Sequence, residues 1–502
     1  MRIRAEHPSL EVFLKTSLSP EARCHVLFVS FTQWDFALAA LADTAMGLHR
    51  MGSQLSLAFW TGYTPLRDTG WSASHSLARL TRAPARDQRV RDALLDLGVP
   101  RSALAKPPLR RWKPSEPITI SRPMNRSEIR TLAFHGSPMG RAILQVLPET
   151  QTPTTDTFYW PERWVRACAR SYAYAYDQTL ALIRARDITS VVVYNGRFLH
   201  DRAASAAAQA AGIPVLYYDT GGLDTDFDLT DSVTHDWTDL QRRMLQMYDE
   251  WPADERDDLG SSWFLERINH TAADNCLFVE AQVRGARIDR PAADCVVAYF
   301  SSSGDEIAEL ELDWNQFIGT QPEALTALAQ ECRKLPGYAL IVRSHPHKRM
   351  KPKQDVAEWL AAVDSAGPDV HVDPYSPVDS YELMRQADIV VTYGSTTGVE
   401  AAFAHKPVIV MGPSAYDQLG CATLAATPAQ LADALTHREP GSWPGALSYG
   451  LMMRRRGFLF ETVTRDVDRR LTLGGHDFGD ARDIVLHASN LLHRLQRWYL
   501  SR

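Results

Sequence analysis

Six cysteines are spread over 502 residues, and no two of them form a CxxC pair, so neither a zinc ribbon nor a dithiol redox motif is present. Scattered cysteines in apolar contexts, such as Cys295 before Val296 and Val297, read as reduced core residues of a cytoplasmic protein. No run approaches the roughly 18 apolar residues of a membrane span, and the opening MRIRAEHPSLEVFLK lacks the apolar stretch of a secretion signal. Long basic blocks are also missing, and the net charge is −6, which argues against a nucleic-acid partner. A short basic run, Arg454–Arg456, precedes Phe458-Leu459-Phe460 and reads as a solvated face or a peripheral contact with the inner face of a membrane.

What remains is a chain of 45% hydrophobic and 23% charged residues, the balance of a globular protein, and too long for a single core. Apolar runs alternate with helical patterns. Cys24–Phe31 predicts a strand, Phe36–Met51 a helix and Leu55–Trp60 a second strand. Residues 64–160 are less regular and read as an insertion over the sheet. A long helix at Trp164–Ala185 follows, then strands at Val191–Tyr194 and Ile213–Tyr218. A second α/β series begins near Asp294, with strands at Cys295–Phe300, Tyr338–Arg343, Ile389–Val391 and Val408–Val410. The expected organisation is therefore a domain of residues 1–290, a second of 291–480, and a terminal helix within 481–502 that packs back on the first. Asp224, Asp226 and Asp228 alternate along LDTDFDL, without the glycine and terminal glutamate of a calcium loop, and read as a solvated loop.

The densest signal is ADIVVTYGSTTGVEAAFAHKPVIVMG, Ala387–Gly412: strand, small polar turn, short helix, strand. A turn that ends a parallel strand and opens a helix presents free N–H groups to an anion, usually phosphate. No lysine follows the glycines, so this is not a nucleotide-hydrolysing P-loop. Gly394, Ser395, Thr396 and Thr397 form the turn, and Glu400 lies one turn into the helix, placed for ribose hydroxyls or for the helix dipole. Ser395 and Thr396 also suit a helix cap. A second cluster, Arg343-Ser344-His345-Pro346, follows another strand. Arg343 and His345 share one side of it and suit phosphate, or His345 caps a neighbouring loop. Ser301, Ser302 and Ser303 end a third strand of this domain.

In the first domain Asp219 ends the strand VLYYD and could take a proton from an acceptor hydroxyl, or organise the turn at Gly221-Gly222. Asp35 is a second candidate base. Trp34 could stack on a sugar face, while Asn195 and Arg197 could bind an anionic acceptor or a sugar acid. Six such clusters lie just after strands, the position at which open α/β sheets bind ligands, which points to one site between two sheets.

FSSSGDE at Phe300–Glu306, RSHP at Arg343–Pro346 and TYGSTTGVEAAFAHKPVIVMGPSAYDQLG at Thr392–Gly420 resemble the GT-B glycosyltransferases of bacterial surface-polysaccharide assembly. The likeness is greatest to the capsule group that includes the Kdo transferases, more distant to bacterial sialyltransferases, and covers residues 291–425. It implies an α/β GT-B fold, two doubly wound Rossmann-like domains facing an interdomain cleft. It also implies an inverting, metal-independent transfer from a nucleotide sugar, CMP-Kdo or a similar CMP-activated sugar, to a saccharide or glycolipid acceptor, with no cofactor. In similar enzymes a His-Pro motif and a Ser-Ser/Thr motif hold the donor phosphate, here His345-Pro346 and Ser395-Thr396. Their base lies in an Asp/Glu-Asp/Glu-Gly motif. Asp219-Thr220-Gly221 is its nearest match and lacks the second acid. Enzymes using UDP or GDP sugars, nucleotide-sugar 2-epimerases, polyol-phosphate transferases and non-catalytic nucleotide-sugar-binding subunits share the layout.

Overall fold

A computed structural model describes residues 9–18, 24–31, 34–60, 83–105, 112–146, 157–223, 225–271, 282–303, 309–310, 318–465 and 470–477. The chain divides into two compact units. The N-terminal unit comprises Glu6–Thr234 with Arg456–Arg502, and the C-terminal unit comprises His235–Arg455.

The N-terminal unit is built on β1 (His25–Ser30), β2 (Gln54–Phe59), β3 (Ser190–Tyr194), β4 (Val215–Thr220) and β5 (Asp226–Thr230). The first four strands are parallel, in the order β4-β3-β1-β2, and β5 runs antiparallel beside β4. Successive residues of β1 and β3 enter different cores. Leu27, Val29, Val191 and Val193 face the helices Glu162–Arg186 and Leu199–Ala210, while Val26, Phe28 and Val192 face the helix Asp35–Arg50. A parallel sheet buried on both faces requires such continuous apolar strands. Much of 64–160 belongs to these cores: Ile129, Phe134, Ile143 and Trp160 join one, and Val90 and Leu94 the other.

The C-terminal unit carries β6 (Cys295–Phe300), β7 (Tyr338–Arg343), β8 (Val370–Val372), β9 (Ile389–Thr392), β10 (Val408–Val410) and β11 (Thr423–Leu424). All pair in parallel, in the order β8-β7-β6-β9-β10-β11. Counted from β6 this is 3-2-1-4-5-6, the dinucleotide-fold order, in which the chain reverses direction between the first and fourth strands. The unit begins at His235 rather than near 291, for a packing reason. Met244, Trp263 and Phe264 of the helices Trp237–Glu250 and Ala253–Ile268 are buried in the same core as Val296, Tyr416 and Tyr449.

At Arg456 the chain re-enters the N-terminal unit, where β12 (Phe458–Leu459) adds antiparallel to β5. Asp43, fully buried in the helix Asp35–Arg50, holds the returning chain. Its Oδ1 accepts from the N–H groups of Glu461, Thr462 and Val463 at 3.1, 2.6 and 3.0 Å. The basic run beside this junction is tied down at Arg454, whose Nε donates to Ser262 Oγ at 3.1 Å and whose Nη2 meets Glu266 at 2.5 Å. The terminal helix expected within 481–502 lies outside the described residues, as do Asp224, Cys276, Asp305 and Glu306.

Candidate functional site

Three clusters found in the sequence meet at the carboxyl ends of β6, β7 and β9, the central strands of the C-terminal sheet. Phe300 pairs with Arg343 on one side and with Thr392 on the other, so Ser301, Ser344 and Tyr393 leave the sheet side by side. Ser301 is buried, and its Oγ accepts the His345 N–H at 2.8 Å. Ser302 Oγ accepts from Gln321 Nε2 at 3.1 Å, and Ser303 is half-buried. The first serine therefore fixes the backbone of the His-Pro corner. Pro346, buried, opens the 3₁₀ turn Pro346–Met350.

His345 Nδ1 accepts the His347 N–H at 3.1 Å, which leaves the ring proton on Nε2. Burial, reinforced by the cations Lys348, His347 and Arg343, pushes its pKa down to about 3. His345 is thus a neutral imidazole at physiological pH, able to donate through Nε2 but not to act as a general acid. In a 3₁₀ turn, residues three apart stand on one side, and Lys348 N–H closes on His345 O at 3.0 Å. The Lys348 ammonium sits 4.3 Å from the Trp359 ring centroid, and burial lowers its pKa to about 8. Trp359 is anchored in turn, donating Nε1–H to Ser344 Oγ at 2.7 Å. Lys348 escaped the sequence reading. The signal was its place three residues after His345, behind a proline that starts a tight turn.

Arg343 is 2% exposed. Its Nη1 donates to Asp373 O at 2.8 Å, while Nε and Nη2, also buried, have no partner among the described residues. Burial lowers its pKa to about 10, with Asp373 and Asp379 opposing. A buried guanidinium with two idle N–H groups is costly unless a ligand completes it.

The β9 turn divides its labour. Gly394 has φ +77°, and a Cβ there would collide with Pro413 O, so only glycine fits. Ser395 is turned inward: its Oγ bonds Thr397 Oγ1 at 3.2 Å and its carbonyl accepts from Tyr416 at 2.6 Å. Thr396 is exposed. The helix that follows, Thr397–Phe403, has seven residues, so its dipole contributes little beside the charges of Arg343 and Lys348. Glu400 is buried, accepting from Tyr381 at 3.2 Å with Arg267 Nε at 3.9 Å, and so ties this helix to two others.

The carboxyl ends of β1, β3 and β4 gather the candidates of the N-terminal unit. Asn195 follows β3 with φ +57°, and its Nδ2 donates to Asp219 Oδ2 at 2.5 Å. Asp219 Oδ1 accepts the Thr220 N–H at 2.7 Å, so both carboxylate oxygens are oriented. The Asn195 Oδ1 is buried without a partner among the described residues. Trp34 is 43% exposed, its ring edge-on to Tyr194 at 5.9 Å. Asp35, half-buried, opens the helix Asp35–Arg50, and the Arg197 guanidinium lies 4.8 Å from the Phe198 ring centroid.

Asp226 and Asp228 do not lie in a solvated loop. Asp226 starts β5 fully buried, and Asp228 is buried too. Asp226 Oδ1 accepts the Leu223 N–H at 2.9 Å and fills the space a Cβ on Gly221 would need. Its Oδ2 has no partner among the described residues, and burial raises its pKa to about 6. Period-2 alternation of Asp with apolar residues was the strand signal that the acidity masked.

Among the described residues no group of three or more His, Cys, Asp or Glu is placed to hold a metal, no helix is long and apolar enough to cross a membrane, and Cys24, Cys168, Cys295, Cys332 and Cys421 are free thiols.

Two doubly wound Rossmann-like units in one chain, each with its polar clusters at the carboxyl strand ends, define the GT-B class of fold. Within the C-terminal unit, residues 313–439 match the family described as capsule polysaccharide biosynthesis protein, a segment that includes the His-Pro corner and the β9 turn. Among solved structures, the chain is similar to KpsC, beta Kdo 2,7 transferase, of Thermosulfurimonas dismutans, with 16% identity over 63% of this chain and 89% of that one, TM-score 0.34. The beta Kdo 2,4 transferase of the same KpsC shows 14% identity over 61% and 88%, TM-score 0.33. UDP-GlcNAc 2-epimerase of Methanocaldococcus jannaschii shows 10% identity over 85% and 97%, TM-score 0.28. No curated protein matches the chain in sequence.

Proposed function

We propose that this protein is an inverting, metal-independent glycosyltransferase of surface-polysaccharide assembly. It moves a sugar from a nucleotide donor, CMP-Kdo or a similar CMP-activated sugar, to a hydroxyl of a saccharide or glycolipid acceptor. One observation carries the reading: the buried Arg343, with two N–H groups unpartnered, stands on the strand end next to the one that fixes His345. An anion of phosphate geometry completes such a guanidinium.

The C-terminal unit binds the donor. Arg343 and Lys348 supply positive charge, His345 donates through Nε2, and Thr396 adds a hydroxyl. These groups take the place a metal holds in other transferases. The N-terminal unit binds the acceptor, with Trp34 against the sugar face and Asn195 and Arg197 at its polar groups. In the transfer step the acceptor oxygen attacks the anomeric carbon and its proton passes to Asp219, with Asp35 as the other candidate base. The bond from the anomeric carbon to the phosphate oxygen breaks, and its electron pair leaves on the phosphate. Stabilising that charge is electrostatic catalysis at the leaving group. The protein works in the cytoplasm, where activated sugars and reduced cysteines coexist, with peripheral contact to the membrane face that carries a glycolipid acceptor.

Metal-free thermal shifts with CMP, CDP, UDP, GDP and ADP test the reading. Ligand at about 100 times its Kd stabilises by about 2.7 kcal/mol. CMP should shift the transition, and His345→Ala should abolish the shift. A response to UDP or GDP alone would replace the donor. Silence with all five would remove the nucleotide site.

A further inference from the structure

A cavity of about 440 Å³ opens in the N-terminal unit, lined by His25, His49, Ser53, Ser102 and Arg186 among others. His25 opens β1 and Gln54, another lining residue, opens β2, so the cavity lies at the amino-terminal edge of the sheet. Trp34, Asn195 and Asp219 stand at the opposite ends of the strands, about 20 Å away along a six-residue strand. The cavity is therefore separate from the acceptor rim.

Its chemistry is one-sided. Arg186 Nη1 donates to Ser56 Oγ at 2.9 Å and to Ser102 O at 3.1 Å, and Nη2 donates to Leu104 O at 3.3 Å. All these acceptors are neutral and no carboxylate is among the lining residues, although the Asp187 carboxylate lies near enough to act on His25. His25, 6% exposed, is 2.9 Å from Ser56 Oγ through Nε2. Burial lowers its pKa, so it stays a neutral ring that braces the serine under Arg186. His49 presents its imidazole from the end of the helix Asp35–Arg50. Hydroxyls and an amide (Ser53, Ser102, Gln54) alternate with an apolar floor of Leu55 and Ala103.

We propose that this cavity binds a small hydroxylated molecule bearing a phosphate, of sugar-phosphate size, at an effector site distinct from the donor and acceptor rims. The phosphate meets Arg186 and His49, and the hydroxyls meet Ser53, Ser102 and Gln54. The volume lies within the roughly 300–1,000 Å³ of small-molecule pockets. Arg186 at the end of its helix also complements the helix dipole, but that role affects the unliganded protein and is blind to added phosphate.

The test is calorimetric titration of His345→Ala, whose donor-phosphate site is disabled, with inorganic phosphate and glucose 1-phosphate. Saturable binding is expected, tighter for glucose 1-phosphate, and weakened about tenfold or more by adding His49→Ala or Arg186→Lys. The unliganded melting temperature of each variant confirms that it folds. Absence of binding, or binding indifferent to both substitutions, overturns the site. Equal affinity for the two probes overturns the assignment of a hydroxylated ligand. Because the titration uses the His345→Ala background, its failure leaves the nucleotide shifts of the wild type untouched.

Discussion

At the carboxyl ends of β6, β7 and β9 the uncommitted charge is positive: Arg343 with two idle N–H groups, and Lys348 on the face of Trp359. At the carboxyl ends of β1, β3 and β4 it is a carboxylate, Asp219, oriented by Asn195 and by its own strand end, with an exposed tryptophan nearby. Both rims stand at the carboxyl ends of adjacent parallel strands, so strand direction does not decide the difference. Side chains on the strand ends make the difference, and in the proposed transfer the cations would hold a phosphate and the carboxylate would take a proton. Fold alone would have assigned neither role.

The largest test of this division is Asp219→Asn, which keeps the shape and removes the basic oxygen. The turnover rate should fall by about 10²–10⁴-fold, the usual loss for a positioned base, while the nucleotide-induced thermal shift stays at its wild-type size. A shift that falls together with the rate would place Asp219 in binding or folding and dissolve the contrast.

Arg343→Met sharpens the other side. Replacing a buried charge with an apolar chain of similar length is often neutral or stabilising. The unliganded melting temperature should hold or rise while nucleotide affinity drops by about a hundredfold, the loss of a charged pair worth about 3 kcal/mol. If the melting temperature falls and nucleotide still binds, the guanidinium supports the β8 loop through Asp373 and serves no ligand.

Asp226 probes what a carboxylate does when no ligand role absorbs it. Its pKa is raised from 3.8 to about 6 in the fold, so the folded state favours the protonated acid. The stability it contributes is complete below about pH 4 and is lost as pH rises through 6. Asp226→Asn mimics the protonated form. Its advantage over wild type in the melting of the N-terminal unit should grow from near zero at about pH 3 to a plateau above pH 7. A two-unit shift corresponds to at most about 3 kcal/mol. A difference that does not change with pH would mean that Arg456 and the turn N–H groups keep the carboxylate ionised.

The two rims were not equally legible in the chain. Arg343, His345 and Gly394 follow apolar runs of unmixed strand character, and a parallel sheet buried on both faces writes such runs plainly. Their adjacency rests on the strand order, which puts β6 between β7 and β9. Where the reading failed, a local property competed with the pattern. Two aspartates hid the alternation of β5, which tolerates Asp226 because Gly221 leaves room for it. The helices Trp237–Glu250 and Ala253–Ile268 were credited to the first domain because their buried partners, Tyr416 and Tyr449, lie far along the chain. The jobs of Ser301 and Ser395 were illegible for the same reason. Whether a serine hydroxyl faces a ligand or the His345 N–H depends on a neighbour 44 residues away.

Lys348 gives the smallest expected effect and the one most specific to the cationic rim. With its pKa lowered to about 8 by burial, the ammonium is charged at pH 7 and largely neutral at pH 9. Nucleotide affinity should then weaken by about tenfold across that interval, the weight of one partly screened charge on a phosphate. His345 adds no step there, since its own titration lies near pH 3. Lys348→Arg keeps its charge at pH 9 and should flatten the profile. Lys348→Gln should flatten it at the weaker, high-pH level. An unchanged profile in both variants would assign the step to another group and leave Lys348 a packing residue on Trp359. The remaining positive charge of that rim would then be Arg343 alone, and the contrast between the two rims would rest on a single buried side chain.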